Sequence, residues 1–502
     1  MRKKIIAFLL LAVLAGWIAM LALQKRAPHD APAVAAPSAE PAGSSTASAS
    51  ASASASAGGS TDAPSANGSA SAAPSGSGSA DAGAPKLMDR TLRVTALGWD
   101  LAAPGLLANG GTDTDKKSEI AAAGLDVHIG VAATQQALEG ALARGGEDKD
   151  GADIAILPLP TFVAAYERLR ALSLDMFFVV GWSRGREAVM GAKPDWPLKG
   201  DVKLAGEAGH PATFLALWAF DLGGVSPGQV KVVSGSAASD APWAAVDRSA
   251  TLVADSVRNT VMLTTADAPR LIPYVAVAPR GLLENRSRAL AAWASAWLKG
   301  ARKLAQDAPT GARAVAATKD APEPIALLQT LGQSAPATLA DNVRAAGLSG
   351  RGAVTLEALF QHAWAIWRSA SVLATPSPDA APVSTAVISA LARAEPAQAA
   401  GAGDELKPKD AGPSASVLIT YRQTDSKADD QALVTSIGFL AGVFERAPLR
   451  ISVGAGTVSD KNRAKKIIED ATGRFGLAAG RISPAPKASP QVRASVEVLS
   501  VP

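Results

Sequence analysis

LDVHIGVAATQQALEGALARGGEDKDGADIAILPL, residues 125–159, decides the fold class. LDVHIGV (125–131) is a short apolar, β-branched run, ATQQALEGALARG (133–145) has helical composition closed by glycine, and ADIAILPL (152–159) is a second apolar run. Strand, helix and strand joined by short connections predict an α/β domain with a mostly parallel sheet. An earlier run, LRVTALGW (92–99), supplies another strand, and LDMFFVVG (174–181) a later one. In such sheets ligands collect beyond the carboxyl ends of the strands. The candidates are therefore Trp99, with Gly98 and Asp100, after the first strand; Thr161, with Pro158 to Pro160, after ADIAILPL; and Ser183 and Arg184, with Trp182 and Gly185, after LDMFFVVG.

A second set follows: VKLAGEAGHPATFLALWAFDLGG (202–224), VKVVSG (230–235) and TLVADSV (251–257). In the first of these a strand ends in a glycine-rich turn and a helix opens near Pro211, whose missing amide hydrogen costs nothing at a first helical position. The opening amides from Gly209 and His210 to Thr213 are open to an anion or a carbonyl oxygen, or else form a purely structural turn. The Gly223–Gly224 pair is the expected helix stop.

The chain has 502 residues, 48% of them hydrophobic, enough for two or three domains with large cores. Its 49 basic and 45 acidic residues leave a net charge of +4, too even a balance to point to a nucleic-acid partner. Cysteine is absent, which excludes disulfides, thiol nucleophiles, thiolate metal sites and a lipid-modified cysteine anchor. The four histidines, His29, His128, His210 and His362, lack the spacing of a metal site, so neither a metal nor a cofactor is expected. No GxxxxGK[ST] run occurs, which excludes nucleotide hydrolysis through a P-loop.

Residues 5–24, IIAFLLLAVLAGWIAMLALQ, are long enough to span about 30 Å of hydrocarbon as a helix. Arg2, Lys3 and Lys4 before them favour a cytoplasmic N-terminus. Residues 1–26 are expected to be a membrane anchor or uncleaved signal, with a cleaved signal peptide as the alternative. Residues 27–87, rich in Ala, Ser, Gly and Pro and including an alternating Ser-Ala repeat from Ser48 to Ser56, cannot bury a core. They read as a flexible tether with a root-mean-square reach of roughly 40–50 Å.

Four stretches together resemble the substrate-binding proteins of ABC importers for sulfonates, nitrate, taurine and thiamine-pyrimidine precursors: GLDVHIGVAATQQALEGALARG with ADIAILPLPTFV, GWSRGREAVMG, LAGEAGHPATFLALWAFDLGGV, and TTADAPRLIPYVAVAPRGLLENRSRALAAWASAWLKGARKL. The similarity covers roughly residues 90–365. It implies a two-lobed periplasmic-binding-protein fold of type II over 88–370. Lobe 1 is expected at about 88–181 and 264–370, lobe 2 at about 182–263, with crossing strands near 180–187 and 262–270. It implies ligand contacts by Trp99, Thr161, Ser183, Arg184, Gly209, His210, Thr213 and Asp255. The chain reads VADSVRNTVM (253–262) where the family usually has an Asp-Ala-x-x-x-Trp/Glu segment, so the resemblance does not carry ligand identity.

Residues 371–414, again rich in Pro, Ala and Gly, read as a linker containing one helix at VSTAVISALARA. After them come ASVLITY (415–421), helical DDQALVTSIGFLAGVFERA (429–447), LRISVGAG (449–456), helical DKNRAKKIIEDATGRFGL (460–477) and VRASVEVLSV (492–501). This order resembles the OmpA-like peptidoglycan-binding domain, a small α+β fold, over 415–502. The resemblance implies that Arg463 and the nearby Asp460 grip a peptide stem, Arg463 through a two-pronged carboxylate contact. The aspartate expected after Thr457 is missing, and the alternative is an α/β module used for packing.

The sequence is read as a non-enzymatic, single-pass inner-membrane protein with its folded domains in the periplasm. It binds a small anionic or aromatic solute for ABC-type import or sensing, with a permease and peptidoglycan as partners. The alternatives are an envelope adaptor with a decayed cleft, or an enzyme of the thiamine-precursor type.

Overall fold

Every residue of β4, Leu174–Ser183, is buried, as is every residue of β3, Ile154–Pro158, the signature of strands covered on both faces. The computed structural model describes residues 85–192, 202–248, 260–349, 354–400, 415–423, 429–454, 456–486 and 493–500. The apolar run 5–24, the tether up to residue 84 and Asp255 lie outside them. No described helix is long and apolar enough to cross a membrane.

β3 and β4 belong to a six-stranded sheet with β1 (Leu92–Leu97), β2 (Val127–Ala132), β10 (Pro273–Pro279) and β11 (Ser334–Pro336), in the order β11-β4-β10-β3-β1-β2. β1 runs parallel to β2 and β3, with Val94 opposite Ile129 and Ile154. β10 is antiparallel to both its neighbours, and β11 is antiparallel to β4. The sheet is thus mixed rather than mostly parallel, because β10 returns from the second lobe instead of crossing over within the first.

Among the described residues the second lobe has five strands: β5 (Glu187–Met190), β6 (Val202–Ala205), β7 (Val230–Val233), β8 (Trp243–Asp247) and β9 (Val261–Thr264), in the order β7-β6-β8-β5-β9. Here β5 is the antiparallel strand, arriving from lobe 1. Both sheets therefore repeat one pattern, second–first–third–incoming–fourth, and the chain crosses between them twice, at 184–186 and 265–272. This is a two-lobed α/β arrangement joined by two crossings, as expected from the sequence.

Close helix packing fixes lobe 1. Helix Trp99–Asn109 lies so near helix Ser287–Gln306 that a Cβ on Gly105 would meet the Trp297 ring at 2.1 Å, and one on Gly300 would meet the Pro104 carbonyl oxygen at 1.9 Å. Trp293 and Trp297 are fully buried beside them. Lobe 1 also extends beyond its expected limits. Leu87 at the end of the presumed tether donates its amide to the Gly124 carbonyl at 3.0 Å. The presumed linker is folded as far as residue 400: Met176 donates its amide to the Pro382 carbonyl and accepts from the Ser384 amide, each at 2.8 Å, and Val387, Ile388 and Leu391 of helix Ala386–Ala394 are buried. Its alanines and prolines pack as a thin layer on the lobe, which composition alone reads as a spacer.

The C-terminal domain contains β12 (Val417–Gln423), helix Asp430–Val443, β13 (Leu449–Val453), helix Val458–Phe475, β14 (Ile482–Pro484) and β15 (Ala494–Leu499). Its sheet order is β12-β15-β13-β14, with only β13 and β14 parallel. Arg481, 3% exposed, donates to the carbonyls of Ala441, Phe444 and Glu445 and so closes the end of the first helix.

Candidate functional site

The two crossings meet in a buried polar knot. Ser183, the last residue of β4, donates to the Glu187 carboxylate, and its hydroxyl lies 2.7 Å from that of Thr265 on the second crossing. The Thr265 hydroxyl accepts from the Gly185 amide at 2.8 Å and donates to Glu187 at 3.2 Å. Ser183, Glu187 and Thr265 are each 1% exposed or less. Burial pushes the Glu187 carboxyl up, against the charge of Arg186 and the bond from Ser183.

Arg186, beside this knot, bridges the two lobes. Its guanidinium donates to Asp100, at the start of the first helix of lobe 1, at 2.8 Å, and to Asp247, at the end of β8 in lobe 2, at 3.2 Å. Burial pushes the Asp100 carboxyl up while Arg186 pulls it down. For Arg186 itself burial works against the charge, but Asp100 and Asp247 outweigh it and hold the guanidinium above its ordinary pKa. Tyr274, the second residue of β10, is 1% exposed, and burial holds its phenol well above the usual range. Asp100, Tyr274, Gly181 and Ser334 line a cavity of about 20 Å³, room for about one water.

The expected turn at 209–213 borders this region from lobe 2. Gly209 has φ +83°, a conformation that glycine adopts without strain, and a Cβ there would lie 3.3 Å from that of Ala164 in lobe 1. His210 caps the helix that follows: its Nδ1 accepts from the Ala212 amide at 3.2 Å. Burial pushes the His210 pKa down, which favours the neutral ring needed to accept that bond. The buried Thr213 hydroxyl accepts from the Glu207 amide at 3.1 Å. One opening amide and the Thr213 hydroxyl thus have internal partners, a correction to the expectation that the turn presents them to the cleft.

The other expected contacts divide. Ser183 sits in the knot. Thr161 is 3% exposed, with its hydroxyl unpaired, in the first turn of helix Leu159–Leu169. Trp99 packs half-buried on the lobe 1 core, and its neighbour Asp100 makes the contact across the lobes. Arg184 is exposed, its amide bound to the Gln333 carbonyl; the arginine that enters the cleft is Arg186, two positions on. The tight turn at Gly185, with φ +93°, makes that difference. Asp247 and Tyr274 escaped sequence reading because nothing local marks a strand-end aspartate or a strand tyrosine as facing the other lobe. In the C-terminal domain, Arg463 is paired with Asp430 through Nε at 3.0 Å and through Nη2. Asp460 caps its own helix by accepting from Thr457 at 2.8 Å. Among the described residues no group of three or more His, Asp or Glu side chains is arranged to hold a metal ion.

No protein-family model matches the chain, and no curated protein matches it by sequence. Solved structures with a similar arrangement include the ligand-binding component of an ABC-type import system from Staphylococcus aureus with zinc bound, at 12% identity and a TM-score of 0.41, covering 61% of this chain and 100% of that one. The periplasmic aliphatic sulphonate binding protein SsuA from Escherichia coli has 15% identity and a TM-score of 0.35, covering 49% of this chain and 81% of that one. The periplasmic nitrate-binding protein NrtA from Synechocystis PCC 6803 has 16% identity and a TM-score of 0.34, covering 45% and 65%. The likeness is one of fold, and it assigns no residue of the cluster.

Proposed function

We propose that the two lobes form a solute-binding protein of the kind that serves ABC-type import or sensing, with its solute held at the crossing beside Asp100, Arg186 and Asp247. The observation that carries this reading is the meeting, at one point, of both lobe-to-lobe crossings, the strand ends of two sheets built to one pattern, and a buried charged cluster drawn from both lobes. Ligands of open α/β sheets sit at such strand ends, and hinge closure over them is a recurrent binding motion. Because Arg186 already faces two carboxylates, an anionic solute must displace one of them. A neutral hydroxylated or cationic solute displaces neither carboxylate, but the cavity beside the cluster, about 20 Å³, holds only about one water, so any solute enters through opening of the lobes.

In this reading the N-terminal run anchors the protein in the inner membrane, the tether carries the lobes into the periplasm, and the C-terminal domain attaches to peptidoglycan through Arg463 and Asp430. The experiment is a thermal-shift screen of the whole chain against amino acids, polyamines, polyols, sulfonates and nitrate. A solute that raises the melting temperature supports the reading, and no shift from any class overturns it.

The direct packing of Gly209 against Ala164, with Arg186 satisfied by protein carboxylates, favours a second reading: an envelope adaptor whose lobes are closed on themselves. A flat thermal-shift screen with intact peptidoglycan binding is its expected signature.

A further inference from the structure

Helix Leu356–Ser369 touches both lobes. Phe360 and Trp364 both pack edge-on against Tyr166 of lobe 1, with ring centroids 5.5 and 5.7 Å from it. Trp367 donates its indole N–H to the Pro160 carbonyl of lobe 1 at 2.8 Å, while its ring lies 5.9 Å from Phe214 of lobe 2. The Ser369 hydroxyl ends the helix by accepting from the Gly228 amide of lobe 2 at 3.1 Å.

The C-terminal domain rests on this helix and on the crossing together. Phe439 lies tilted against His362 with ring centroids 4.8 Å apart, and Gly442 lies so close to Val354 that an added Cβ would stand 2.3 Å from its side chain. Phe444 stacks on Trp218 of lobe 2 at 5.6 Å with 29° between the rings. Arg270, on the second crossing, joins everything: its amide donates to the Val443 carbonyl at 3.2 Å, and its guanidinium lies over Trp182, near the end of β4, at 5.0 Å. The same guanidinium pairs with Asp341 of lobe 1 at 3.0 Å and with Glu445 of the C-terminal domain at 3.1 Å.

We infer that helix 356–369 and the C-terminal domain form a brace that holds the lobes closed, with Arg270 as the joint that ties the brace to the crossing. Rotation of the lobes about 184–186 and 265–272 pulls Pro160 away from Phe214 and Gly228, all three held by one helix. It also moves Arg270 against partners in two other bodies. Opening therefore requires the C-terminal domain to lift off, and whatever that domain binds acts on solute exchange through the Arg270 and Phe444 contacts.

The inference rests on lobes that move about the crossing, as the solute-binding reading requires, but its test uses no solute, so the two fail in separate experiments. The chain lacks cysteine, so Lys149→Cys in lobe 1 and Lys231→Cys in lobe 2, both exposed positions, take two spin labels in the full-length protein. The parent is expected to give one narrow distance. Arg270→Ala combined with Trp367→Phe is expected to add a longer distance, raised at least tenfold to about 10% or more of the molecules. Phe444→Ala is expected to do the same from the other side of the interface. Retained cooperative unfolding confirms that each variant is folded. A parent that already samples the long distance, or folded variants that keep the single narrow one, overturns the brace.

Discussion

Arg186 and Asp100 lie 2.8 Å apart across the two lobes, the guanidinium from the crossing and the carboxylate from the first helix of lobe 1. Asp100 is 7% exposed, and a buried charge stripped of a partner is costly. Asp100→Asn keeps the size and removes the charge, leaving Arg186 with Asp247. Because Asp247 still pairs Arg186, the expected loss is that of one charged hydrogen bond, about 1.5–3 kcal/mol, read as a lower urea midpoint; an unchanged midpoint would mean that the pair is not formed in solution.

Gly300 faces the Pro104 carbonyl in the tightest helix contact of lobe 1. A backbone oxygen cannot turn aside as a side chain can, so Gly300→Ala forces the two helices apart. Overpacking of this kind costs about 1–3 kcal/mol, and the upper end is expected here. Gly281→Ala, with open space around its Cβ direction, is the control that stays near parent stability in the same melts.

His362 packs half-buried against Phe439 with its Nε2 buried and unpaired, and desolvation pushes its pKa down to about 4. The ordinary imidazole value is near 6.5, so the unfolded chain takes up the proton first. The contribution of the neutral ring is complete above pH 6.5 and is lost as the pH falls towards 4, roughly 3 kcal/mol in all. Urea unfolding at pH 7 and pH 4.5 measures it. His362→Phe is expected to shrink the stability difference between the two pH values; an equal difference in parent and variant would contradict the desolvated neutral ring.

Arg463 and Asp430 are partly exposed, at 34% and 42% of their side chains. Surface pairs of this kind contribute about 0–1 kcal/mol, so Arg463→Ala should leave the melting temperature almost unchanged. If the pair grips a peptide stem, the variant is lost from a peptidoglycan pull-down that retains the parent. Equal retention of both removes Arg463 from any such site.

The strand–helix–strand rhythm of 125–159 was readable because its apolar periods switch cleanly, and the crossing segments fall where GWSRGREAVMG and TTADAPRLIPY suggested. Ser183 falls at the crossing for the same reason, since it ends a strand of ten buried residues, but its hydroxyl is held by Glu187 and Thr265. What local pattern could not supply was direction. A single left-handed glycine, Gly185, decides that Arg186 and not Arg184 enters the cleft. The His210 ring takes up an amide that the helix geometry alone leaves open. Residues 373–400 look like a spacer because alanine and proline dominate both spacers and thin packed layers; only the buried Val387, Ile388 and Leu391 tell them apart.

Calorimetric titration tests the solute-binding proposal most directly, using the full-length chain and the solute that gives the largest thermal shift. A saturable one-to-one isotherm is predicted for the parent, with affinity at least tenfold weaker in Arg186→Gln. Equal binding by parent and variant, or no one-to-one isotherm from any solute class, would contradict a site at the crossing.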